Sequence, residues 1–198
     1  MDDQRIKAQN GTYKGEDYRF VTLRKTVLYP QKTGKLVLEP LSLDLTIDVP
    51  TNRRDIFGNR IMTQAHRTIT ANVRTINVKP LPEEGKPDNF TGAVGDFVFN
   101  LSTTKNSLNA TESLQAKIEV SGQGNLKLFE LPKLTTPSTL EVYEPEHQEN
   151  VRTNMAGMQG KISDLYTIVP QYKGKFPIPS VSFSYFDLKT ETYKQITS

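Results

Sequence analysis

A chain of 198 residues with 35% hydrophobic content is long enough for one large or two small domains, each with a core of its own. Cysteine and tryptophan are absent, which excludes a disulfide framework, thiol redox chemistry and zinc–thiolate sites. The 25 basic residues are interspersed with 22 acidic ones, without a sustained block or an aromatic-interleaved stripe, which argues against nucleic acid as a partner.

No run reaches the ~18 apolar residues of a membrane span, and Met1-Asp2-Asp3-Gln4-Arg5 does not read as a signal peptide. The chain is therefore expected to be either cytoplasmic or a piece of a longer protein. In chain order, residues 18–29 alternate as a strand ending in Val27-Leu28-Tyr29, followed by a turn over Pro30 to Gly34 and a kinked strand from Leu36 to Val49. Pro50 to Gln64 reads as a polar loop with an apolar Ile56-Phe57 tip, part of an insertion at 50–66. Alternation resumes over Thr68 to Val78, rich in β-branched residues, and stops at Pro80-Leu81-Pro82. Residues 81–89 have the composition of a stiff, proline-rich linker. Seven short strands are then expected at Phe97–Leu101, Leu114–Val120, Leu126–Leu131, Leu140–Tyr143, Leu165–Val169, Phe176–Phe186 and Thr192–Ile196. Gly122-Gln123-Gly124-Asn125 superficially suggests a phosphate loop, but no helix follows it, so it reads as a turn.

The chain also repeats itself. Pro30-Gln31-Lys32-Thr33-Gly34-Lys35-Leu36 returns 140 positions later as Pro170-Gln171-Tyr172-Lys173-Gly174-Lys175-Phe176, and the match continues without a gap through Leu43/Phe183 and Leu45/Tyr185. In each copy the apolar alternation changes phase, at Glu39-Pro40 and at Pro179-Ser180, which predicts a bulge or a switch between sheets. Gly34 and Gly174 are expected to turn a hairpin with positive φ just before. The fold class that follows is all-β: tandem immunoglobulin-like β-sandwich domains over 1–80 and 90–198. The first is expected to be incomplete, because its repeated turn comes only thirty residues after Met1; Met1 is then an internal boundary, and sheet edges are left for another chain to cover.

The segment Val78 to Gly95, with Ser121-Gly122-Gln123-Gly124-Asn125-Leu126 and Ile178 to Asp187, resembles the BatD family of bacterial envelope proteins, named from a Bacteroides aerotolerance operon. The resemblance runs over essentially the whole chain and includes the Pro-Gln-x-x-Gly-Lys turn of the first module. It implies a periplasmic piece of a protein whose full-length members carry a signal peptide and a C-terminal membrane anchor. It also implies protein partners encoded nearby: von Willebrand factor A proteins, tetratricopeptide-repeat proteins and a MoxR-type AAA+ ATPase. It assigns no catalytic residues.

His66 and His147, the two histidines, sit in different modules, so neither a histidine metal site nor a Ser/His/Asp triad is expected within one domain. No catalytic residue, cofactor or metal is expected. Candidate partner-binding residues are Ile56 and Phe57 at the loop tip, which either dock or fold back, and the acidic group Glu141, Glu144, Glu146 and Glu149. That group lacks the alternate-position pattern of a calcium loop, yet one exposed carboxylate from it would suit the open metal position of a von Willebrand factor A domain. Four Asn-x-Ser/Thr triplets begin at Asn10, Asn89, Asn100 and Asn109 and carry no meaning in a bacterial protein. The expected function is a non-enzymatic interaction or assembly component of a membrane-associated complex, linked to oxygen tolerance or envelope stress. The alternative is an adhesin-like carbohydrate-binding module with aromatic platforms from Tyr172, Tyr185 or Tyr193.

Overall fold

The computed structural model describes residues 7–109 and 112–198; the Met1 boundary, and Ala110 and Thr111 of the fourth Asn-x-Ser/Thr triplet, lie outside them. Among the described residues the protein is all-β, of tandem immunoglobulin-like type. The strands are β1 (Ala8–Tyr13), β2 (Glu16–Val21), β3 (Gly34–Leu38), β4 (Ser42–Arg54), β5 (Arg60–Thr70), β6 (Arg74–Val78), β7 (Gly95–Thr103), β8 (Leu114–Gly124), β9 (Leu140–Val142), β10 (Glu146–Asn154), β11 (Gly157–Pro170), β12 (Ser182–Asp187) and β13 (Thr192–Thr197). One antiparallel sheet has the order β10-β11-β8-β7 with β9 beside β11; β1–β2, β3–β6, β4–β5 and β12–β13 are two-stranded ribbons. Packing divides the chain into two compact units, Pro30–Leu81 and the remainder.

The buried core lies in the second of these. Because strand side chains alternate between faces, β7 turns Phe97 and Phe99 inward and leaves Asp96, Val98 and Asn100 outside. Ala116, Ile118 and Val120 of β8 and Ile162, Tyr166 and Ile168 of β11 extend the same face. Phe183 and Tyr185 of β12 close it from the other layer: Phe183 stacks on Phe99 at 5.7 Å between ring centroids and meets Phe97 edge-on at 6.1 Å. The Phe186 amide donates to the Ala93 carbonyl at 2.8 Å, tying β12 to the segment that enters β7. Residues 82–90 cover the outer face of the β12–β13 ribbon. Ser184 Oγ donates to Asn89 Oδ1 at 2.6 Å, the Tyr193 hydroxyl donates to the Pro82 carbonyl at 2.7 Å, and Phe90 packs edge-on against Tyr193.

Unit Pro30–Leu81 is built differently, from two ribbons and with no buried side chain. Leu43, Leu45, Ile47 and Val49 share one face of β4, opposite Ile69, Arg67, Ala65 and Thr63 of β5. Both strands then change partner at the same level: β4 is preceded by β3 across 39–41, β5 is followed by β6 across 71–73, and β3 pairs with β6. The phase slip at Glu39-Pro40 is thus a switch between sheets. Pro40 has no amide to donate, so the ladder ends there, and the Ala71 amide closes it on the Leu41 carbonyl at 2.9 Å.

The structure departs from the sequence expectations at several points. Residues 22–33 form no strand, so Gly34 does not turn a hairpin; it opens β3 at φ 96°, while Gly174 takes no positive φ. Alternation supplies strand propensity, but a strand also needs a paired neighbour, and these residues have none. The expected loop over Pro50–Gln64 is a continuation of the β4–β5 ladder almost to its tip. Thr68–Val78 is broken at 71–73 by the sheet switch. Phe176–Phe186 shrinks to β12, since Pro177 and Pro179 remove ladder donors. Leu126–Leu131 is a turn and extended segment that still buries Leu126 and Leu131. Gly122-Gln123-Gly124 is not a turn but the end of β8. Gly122 lies opposite Gly160, and a β-carbon on Gly122 would stand 2.1 Å from the Asp96 carbonyl oxygen, so the ladder admits only glycine there. The turn begins at Asn125, whose side chain accepts the Val94 amide at 2.7 Å and donates to the Gly92 carbonyl at 2.8 Å.

Candidate functional site

The tip of the β4–β5 hairpin follows from Asp55-Ile56-Phe57-Gly58-Asn59. Aspartate suits the first position of a type I turn, and glycine the position after it that needs positive φ, here 84° at Gly58. The Asp55 carbonyl accepts the Gly58 amide at 3.0 Å, and the Asp55 amide donates to the Asn59 carbonyl at 2.9 Å. Asp55 Oδ1 accepts the amides of Asn59 at 2.9 Å and Phe57 at 2.8 Å. These amides, Asn59 first, hold its carboxyl below the ordinary carboxylate range. Arg54 reaches back to the Gly58 carbonyl at 2.7 Å. A turn fixed in this way presents Ile56 at 94% and Phe57 at 81% exposure, so neither side chain folds back onto the ribbon. Arg53, Arg54 and Arg60 surround the tip and are all exposed.

The β4–β5 ribbon offers a second apolar surface. At the 140-residue offset, Leu43 stands where Phe183 stands and Leu45 where Tyr185 stands. Phe183 is 2% exposed under Phe97 and Phe99, whereas Leu43 is 36% exposed and Ile47 and Ile69 more so. The face that is sealed in one copy of the repeat is open in the other.

The four glutamates do not converge. Glu141 lies on β9 opposite Val169 and Glu146 on β10 opposite Leu165, four residues or about 13 Å apart along β11. Glu149 pairs with Lys127, and Glu141 hydrogen-bonds the Tyr143 hydroxyl, which raises that phenol above its usual range. Glu144 is an exposed loop residue between β9 and β10. Among the described residues no three of His, Asp and Glu group closely enough to hold a metal ion. His66 bonds Thr46 at 3.1 Å, and His147 bonds Asp164 at 2.6 Å in the other unit. The aromatic platform also dissolves. Tyr185 is an inward residue of the core, Tyr193 is wedged between Phe90 and Phe186, and of the three tyrosines Tyr172 alone is exposed.

The tip residues and the apolar phase of Leu43 and Leu45 are legible in the sequence, but not that this face is left open, because spacing marks which side of a strand is apolar and not whether another element covers it.

Residues 101–198 match the family model described as the BatD DUF11 like domain, and no curated protein and no solved structure matches the chain. The match takes in β8 to β13 and the greater part of the buried core. With the motifs Ser121 to Leu126 and Ile178 to Asp187 inside that stretch, residues 101–198 form a domain of the BatD family of envelope-associated proteins.

Proposed function

We propose that this chain is a non-enzymatic interaction component of a periplasmic, membrane-anchored protein, assembling a complex that serves oxygen tolerance or envelope stress resistance. The observation that carries the proposal is the open face of the β4–β5 ribbon, whose counterpart in the other module is covered by aromatic side chains of β7. Contiguous apolar side chains left in water are costly, and a protein partner that covers Leu43, Ile47 and Ile69 recovers that free energy. The partners we propose are the von Willebrand factor A, tetratricopeptide-repeat and MoxR-type proteins of the same operon. The exposed carboxylates of Glu144 and Glu146 remain available to a metal ion held by a von Willebrand factor A domain.

The test is calorimetric titration of the chain with those von Willebrand factor A domains, with and without magnesium. Binding tighter than about 10 μM that is lost in Leu43→Asp/Ile69→Asp supports the proposal. Loss on magnesium removal and on charge reversal at Glu141, Glu144, Glu146 and Glu149 assigns the contact to a carboxylate. No heat of binding with any operon partner overturns it.

A further inference from the structure

We infer that the tip of the β4–β5 hairpin is a docking element for an anionic phospholipid surface. Ile56 and Phe57 are adjacent, almost fully exposed, and held at the end of a ladder that extends to the Arg54–Arg60 pair. The turn beneath them is fixed by the Asp55 carboxylate and two backbone hydrogen bonds, so the apolar pair is presented without an ordering cost at the moment of binding. Such a pair has no partner in its own ribbon, and it matches the apolar layer just below lipid headgroups.

Charge selects the surface. Arg53, Arg54 and Arg60 lie within three residues of the apolar pair, and from Val49 to Arg67 the one acidic residue is Asp55. The Asp55 carboxylate already accepts two backbone amides and, at 3.3 Å, the Asn59 side-chain amide, which leaves the arginines to face an anionic headgroup plane. Arg54 and Arg60 are directly opposite each other in the ladder and Arg53 is on the alternate face, so basic groups flank the tip on both sides. Ile61 and Met62 follow, also exposed, and broaden the apolar end of the hairpin. A neutral apolar protein groove would have no use for this collar.

The chain contains no tryptophan, so Phe57→Trp makes a single-tryptophan reporter at a position where substitution disturbs no packing. The reporter chain is mixed with vesicles of phosphatidylcholine alone or with added phosphatidylglycerol. A blue-shifted emission with the anionic vesicles, suppressed by salt, is the expected result. Co-sedimentation of the unaltered chain with the same vesicles should fall about fivefold for each of Arg53→Gln and Arg60→Gln, and should be abolished by Phe57→Asp. Emission that stays solvent-like with both vesicle types overturns the inference. So does sedimentation indifferent to all three substitutions, or a tip that is protected by an operon protein but never by vesicles.

Discussion

Asp187 shows how a single residue joins two levels of this fold. It ends β12, accepts the Lys189 amide at 2.8 Å across the turn into β13, and pairs with Lys194. The hydrogen bond from Lys194, then the amide of Lys189, pulls its carboxyl down to about 2. A carboxyl whose folded pKa lies below its unfolded one contributes stability above the unfolded value and loses it as pH falls toward the folded one. Chemical denaturation followed from about pH 5 to pH 2 should therefore show a loss of stability between about pH 4 and pH 2 that is absent in Asp187→Asn. At neutral pH that variant should be the less stable of the two. The residue is legible in sequence only as a turn-former in Asp187-Leu188-Lys189-Thr190, because its pairing with Lys194 depends on the β12–β13 register.

At the scale of the element, the two copies of the repeat carry a matched experiment. Phe183 and Leu43 occupy the same position of the same strand, yet one is sealed under Phe97 and Phe99 and the other faces water. Phe183→Ala should cost about 3–5 kcal/mol in denaturant unfolding, since it removes a buried ring and leaves a cavity. Leu43→Ala should stay within about 0.5 kcal/mol, the range of an exposed site. Equal costs at the two positions would show that the β4–β5 face is covered in the free protein. β10 illustrates the opposite problem. Glu146 to Asn154 has no apolar periodicity to announce a strand, because it is an edge strand with most of both faces in water. Its ladder to β11 is made by the backbone, which any sequence without proline supplies.

For the whole molecule, burial is concentrated in residues 93–187 and absent from 30–81. Local opening is cheapest where few apolar contacts must be broken. Hydrogen exchange by mass spectrometry should accordingly show long-lived amides in β8 and β11, whose ladders lie inside the five-stranded sheet. Amides of β3 to β6 should exchange faster, and partner binding should slow them. Uniform protection across both regions would contradict this division.

The amino-acid sequence alone determined the strand class, the 140-residue repeat, the inward residues of β7, β8 and β12, and the apolar turn at Ile56-Phe57. Each of these is written in local spacing: period-two alternation, a glycine or proline at a turn, a recurring string. Tertiary structure alone decided which of two equivalent apolar faces is sealed, that Glu149 belongs to Lys127 and not to an acidic cluster, and that β10 exists. Those outcomes depend on neighbours distant in the chain. A strand's own pattern specifies which side is apolar, but only another element, brought against it by folding, determines whether that side meets water.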